Sequence, residues 1–154
     1  MNKLSCDDII VQLNLSKMST SDALKSDDPV KVRAARCTVK GQITKAIKSL
    51  GPLLSQNVAD VSQSKIQTCR TTLKEQHELF DKIHAKLIEL ATPEKPQDAV
   101  IFEKTEEEYY NNTVDPIYPI LDALREYDKN LAERQRKLET VRIAKRDMVS
   151  QQQK

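Results

Sequence analysis

Glycine is nearly absent from this chain of 154 residues, which carries only Gly41 and Gly51. That excludes Gly-rich phosphate loops, β-bulges and tight hairpins, all of which place glycine where other side chains clash. Tryptophan is missing and aromatics make up 4% of the residues, so a modest core has to be built from Leu, Ile and Val. No apolar run approaches the about 20 residues that a membrane-spanning helix needs. Near the N-terminus, Asp7 and Asp8 precede a short apolar run and no small-residue cleavage site follows, so no secretory signal is read there. Cys6, Cys37 and Cys69 are odd in number and far apart, which argues against a disulfide framework and against zinc. Cys69 and Cys37 lie in or near apolar stripes and are expected to be small buried hydrophobes in a reducing compartment. The expected location is the cytoplasm, with the nucleus as alternative. No Cys/His dyad, nucleophile elbow, Walker loop or dinucleotide fingerprint is present. The chain reads as a non-enzyme without cofactor.

What is present is helical patterning. Hydrophobic residues make up 38% of the chain and charged residues 31%, mixed in sign, as on the outer faces of long helices. The strongest stretch spans residues 66–90, where Ile66, Cys69, Leu73, Gln76, Phe80, Ile83, Leu87 and Leu90 alternate spacings of three and four. That heptad keeps one narrow seam facing a partner. Gln76 is its polar member, a candidate for fixing register or partner choice, or a place where the seam opens to solvent.

Taken in order, residues 1–27 read as a flexible segment: a short helix over 1–15, then a linker rich in Ser, Thr and Asp. Asp28-Pro29 opens a helix, with Asp as N-cap and Pro at the first helical position. Val32, Ala35, Val39, Ile43, Ala46, Leu50 and Leu53 gather on one of its faces at 100° per residue. Gly51-Pro52 either ends or kinks it. Asp60 or Ser62 caps the long seam helix, which runs to Ala91 before Thr92-Pro93. A third helix is expected from the Asp98 cap, with a break near Val114, and Asp115-Pro116 as a second cap-and-proline start. The last helix carries Ile117, Ile120, Leu124, Tyr127, Leu131, Leu138, Val141 and Met148 at heptad spacing, but Arg134 and Lys145 intrude and the seam thins after Leu131. The expected fold is all-α: an antiparallel bundle of three to four long helices with coiled-coil-like packing, spanning 28–131, and a projecting C-terminal helical extension over 132–154.

Charge is unevenly placed although the net charge is only +2. Residues 29–59 hold Lys31, Arg33, Arg36, Lys40, Lys45 and Lys48 and no acidic residue. Glu103, Glu106, Glu107 and Glu108 form an acidic patch. Pairing of these two regions inside the fold is the simplest expectation; contact of the basic residues with phosphates or an acidic partner is the alternative. No aromatic interleaves the basic stretch, so base stacking is not supported. Tyr109 and Tyr110 follow the acidic run, and one of them is expected to sit in an interhelical groove with its hydroxyl at the rim. Tyr109, Tyr110, Gln76, Leu138 and Val141 are the candidate interaction face. His77, Asp81 and His84 share one helical face at i, i+4 and i+7, a spacing that can hold a metal ion. Without a third strong ligand they read as surface histidines, and no metal site is expected.

The order of features in residues 33–130 resembles the N-terminal helical Gag-like region of Bel/Pao-type retrotransposon polyproteins. A basic first helix (Arg33-Ala-Ala-Arg36 through Lys40-Gly-Gln-Ile43) precedes a long helix with Leu73, Leu79-Phe80, Ile83-His84 and Leu87. An acidic aromatic segment, Phe102-Glu103 to Glu106-Glu107-Glu108-Tyr109-Tyr110, follows a short break. The resemblance implies a structural protein that self-associates or packages RNA and has no catalytic residue here. Family polyproteins continue into zinc knuckles, an aspartic protease and a reverse transcriptase. None of these lies in this sequence, so a truncated, domesticated or excised copy is expected. The alternative is a cellular coiled-coil adaptor that captures a partner helix. A small metal enzyme built on the two histidines is a third reading.

Overall fold

The computed structural model describes residues 20–56 and 62–152. Among them the chain is all-helical: α1 Thr20–Ala23, α2 Pro29–Leu54, α3 Gln63–Ala91, α4 Pro96–Val114 and α5 Ile117–Gln152. The expected short helix over 1–15 lies outside the described residues. Within the stretch read as a linker over 16–27, the described part holds α1, with Ala23 buried and Leu24 packed on the core. Two apolar side chains suffice to anchor that single turn despite its polar neighbours.

Local chemistry sets the helix ends. Asp28 Oδ1 accepts from the Val30 amide at 3.0 Å, with Pro29 at the first helical position. Pro52 does not end α2, which continues to Leu54. Ser62, rather than Asp60, caps α3, its Oγ accepting from the Lys65 amide at 3.3 Å. Thr92 is extended before Pro93, as the proline ring demands of its predecessor, and α3 stops there. Two expected caps fail. Lys95 rather than Asp98 precedes α4, because Pro96 supplies the preset first position; and Asp115 stays in αR conformation, closing α4 through its amide to Asn111 (2.8 Å). The break near Val114 stands where the sequence puts it.

Side-chain pairs give the helix directions. His84 meets Arg36 of α2, Tyr110 of α4 reaches Asp81, and Asp128 of α5 pairs with Arg70. As numbers rise along α4 and α5, their α3 partners fall. The two therefore run in succession along α3, antiparallel to it, as one arm broken at 115–116. The core unites Val39, Ile43 and Leu50 of α2, Leu73, Phe80 and Leu87 of α3, and Ile117, Leu124 and Tyr127 of α5. Every apolar seam position of α3 is buried or half-buried, and Gln76 is half-buried among them. Arg70 lies seven residues inside α3 and faces Asp128, so α5 runs out of α3 near residue 135.

Candidate functional site

Two places concentrate polar or unpartnered chemistry: a buried cluster between α2, α3 and α4, and the free end of α5. The cluster forms because Phe102, Glu106, Tyr109 and Thr113 recur at four, three and four residues, a helical face that points inward with a carboxylate in it. Glu106 and Arg36 are both buried and form an ion pair. Arg33 stands 3.8 Å from the other Glu106 oxygen. The same Arg36 nitrogen donates to His84 Nδ1 at 3.0 Å. Since a guanidinium cannot accept, the neutral ring carries its proton on Nε2. Burial, and after it the Arg36 charge, lowers the His84 pKa against the opposing pull of Glu106 and Asp81.

Aromatic rings close the cluster. The Arg36 guanidinium lies 4.0 Å from the Tyr109 ring centroid and the Lys40 ammonium 4.4 Å from it, both cation–π contacts. Phe80 stacks against Tyr109, Tyr110 and His84. Burial pushes the Tyr109 phenol up. Tyr110 is pushed up to about 12, by burial and by donating its hydrogen bond to Asp81 (2.8 Å), which favours the protonated phenol. Tyr109 thus sits in the groove and Tyr110 carries its hydroxyl to the rim.

Cys37 is disulfide-bonded and Cys69 is free. Cys37 is buried as expected, but the expectation that it is a reduced thiol is corrected. Spacing along the chain says little about which side chains a fold brings together. With no thiol proton on Cys37, its Sγ accepts from the Tyr109 hydroxyl 3.7 Å away. The reducing-compartment expectation loses the support it drew from unpaired cysteines.

The six basic candidates do not form one surface. Lys31, Lys45 and Lys48 are exposed, Arg33 and Lys40 are half-buried against Glu106 and Tyr109, and Arg36 is buried. A phosphate contact through Arg36 is therefore replaced by an internal one. His77 and His84 also part company: His77 stands 3.8 Å from Asp81, His84 faces Arg36. Among the described residues no group of three or more His, Cys, Asp or Glu is placed to hold a metal ion. A groove of about 380 Å³ between α3 and α5, floored by Leu73, Ile117, Leu121 and Leu124, escaped the sequence reading. Its rim arginines are engaged, Arg70 with Asp128 and Arg125 with Asp122.

The free end of α5 is the other place. After the half-buried Leu131, every described residue to Gln152 is exposed. Five of the nine exposed large hydrophobics among the described residues lie there: Leu138, Val141, Ile143, Met148 and Val149. Leu138 and Val141, named from the heptad, are 58% and 50% exposed. No helix among the described residues is long and apolar enough to cross a membrane. No protein-family model, curated protein or solved structure matches the chain. Among the described residues the protein is all-helical, with three helices packed together.

Proposed function

We propose that this chain is a non-enzymatic assembly module: an antiparallel bundle with coiled-coil-like packing whose projecting helix mediates self-association. The observation that carries the reading is the free end of α5. A helical segment of some 30 Å without tertiary support is marginal in water; this one has none among the described residues and displays a row of apolar side chains that a second surface covers. The resemblance to a Gag-like segment supports the same reading. RNA is a second partner on this reading, met by the exposed Lys31, Lys45 and Lys48.

Sedimentation equilibrium of the full chain, alone and with RNA, is the test. The mass rises with concentration, and truncation after Leu131 returns the protein to the monomer mass of 17.6 kDa less the deleted residues, with its melting transition retained. A full chain that is monomeric at every concentration, with and without RNA, overturns the reading. The adaptor reading is favoured by the thinning heptads Leu131, Leu138, Val141 and Met148; a chain that stays monomeric yet captures a defined partner helix through them selects it. The assembly reading places the protein in the cytoplasm or nucleus. The Cys37 disulfide runs against that placement, and thiol counting on protein alkylated at cell lysis decides between them.

A further inference from the structure

The two ends of the molecule differ in charge as well as in shape. Residues 132–152, at the free end of α5, hold six basic residues against Glu133, Glu139 and Asp147. Two of the six are engaged within the helix, Lys137 with Glu133 and Arg142 with Glu139. Arg134, Arg136, Lys145 and Arg146 make no ion pair among the described residues. Placing 100° per residue, Arg134 and Lys145 share a face with Leu138, Val141 and Val149. The result is a basic face with an apolar centre.

The opposite end is its complement. Around the start of α4, residues 94–108 carry Glu94, Asp98, Glu103, Glu107 and Glu108, all exposed, against Lys95 and Lys104. None of these five carboxylates makes an ion pair among the described residues, whereas the sixth acid of the stretch, Glu106, is the buried partner of Arg36. Beside them Val100 and Ile101 are 65% and 66% exposed, the most open large hydrophobics described. A helix that spends an apolar pair on solvent within an acidic surface matches the pattern at the tip, with the sign reversed.

Among the described residues the chain does not bring its own two faces together. α4 and α5 run in succession along α3, so the acidic face lies near the C-terminal end of α3 and the basic tip runs out beyond its N-terminal end. Between Val100 and Leu138 stand about three dozen positions, roughly 55 Å of rise, in an arm that does not double back.

We infer that the basic tip of α5 in one copy seats on the acidic α4 face of a second copy, through Leu138 and Val141 against Val100 and Ile101 and through Arg134 and Lys145 against Glu103 and Glu107. This rests on the assembly reading and states which surfaces perform it. The contact is heterologous, since different patches meet, and such contacts build rings or open filaments rather than closed pairs. Nucleic acid and a lipid surface fit the tip less well: it has no aromatic side chain for stacking on bases or anchoring at an interface, and the matching acidic face is supplied by the chain itself.

Reciprocal charge reversal tests the pairing. One variant carries Arg134→Glu, Lys145→Glu and Arg146→Glu; the other carries Glu103→Lys, Glu107→Lys and Glu108→Lys. All six positions are exposed, and circular dichroism verifies that both variants fold. In sedimentation velocity at low salt, the wild-type chain shows mass rising with concentration, each variant alone loses that rise, and an equimolar mixture of the two regains it. High salt, which shortens the Debye length from about 10 Å at 0.1 M to about 3 Å at 1 M, weakens wild-type association. If the tip variant loses association but the α4 variant associates like wild type, head-to-tail pairing is overturned while the assembly reading stands. If the mixture fails to associate, or RNA binding alone depends on the tip, the inference is equally overturned. A wild-type chain that never associates overturns both.

Discussion

One helix, α5, lives two lives. Over residues 117–131 it is stitched to the rest of the chain: Ile117, Leu124 and Tyr127 enter the core and Asp128 pairs with Arg70. Over 132–152 the same uninterrupted helix buries nothing. Secondary structure is equal in the two halves, and apolar residues are present in both, more sparsely after Leu131. What differs is opposition: α2 ends at Leu54 and α3 begins at Gln63, and beyond them nothing among the described residues faces α5. A helix gains little from propensity alone and much from packing, so the two halves should respond differently to the same kind of mutation.

The largest contrast is expected between Phe80→Ala and Met148→Ala. Phe80 is fully buried and stacks with His84, Tyr109 and Tyr110, so its truncation should cost about 3–5 kcal/mol in urea denaturation. Met148 is exposed, and its truncation should stay within about 0.5 kcal/mol. Comparable losses at both sites would mean that the tip is packed in the monomer.

Next comes the buried ion pair. Arg36→Met leaves the Glu106 carboxylate buried without its main partner and should cost about 3 kcal/mol. Adding Glu106→Leu should recover most of that, because the uncompensated charge goes with it. A double variant no better than the single one would show that the pair's hydrogen bonds, not its charges, hold α4 against α2.

A smaller effect is expected from pH. The folded His84 pKa lies below its ordinary 6.5. As pH falls through 6.5 the unfolded chain takes up a proton that the folded chain refuses, so stability is complete above that value and declines below it. Urea midpoints measured on either side of 6.5 should show the decline, and His84→Gln, which keeps an acceptor for Arg36 but does not titrate, should flatten it. Smallest is Tyr127→Phe. The Tyr127 hydroxyl is buried and has no hydrogen-bond partner among the described residues, so its removal should be neutral or stabilising by up to about 1 kcal/mol in thermal melts; a loss of stability would reveal a partner for that hydroxyl.

Periodic features were legible in the sequence because periodicity is local. The seam from Ile66 to Leu90, the α2 face from Val32 to Leu53, the break near Val114 and the thinning after Leu131 all appear where residue spacing puts them. Cap positions were less so: Asp98 and Asp115 look like N-caps, yet Pro96 and the αR conformation of Asp115 moved the ends. The candidate sites fared unevenly. Lys31 and Leu138 are exposed as surface contacts must be, while Arg36, one of six similar basic residues in the sequence, is buried.

Helicity, the direction each apolar face takes and the point where the last helix outgrows its cover are all readable from the residues. Those follow from side-chain period, from proline geometry and from the near-absence of glycine. Packing settled that Arg36 is the cation Glu106 meets, that Cys37 is disulfide-bonded, and that the acidic and basic surfaces left over stand at opposite ends. The reason is physical: a period tells which way a side chain faces, but only packing brings a partner from seventy residues away.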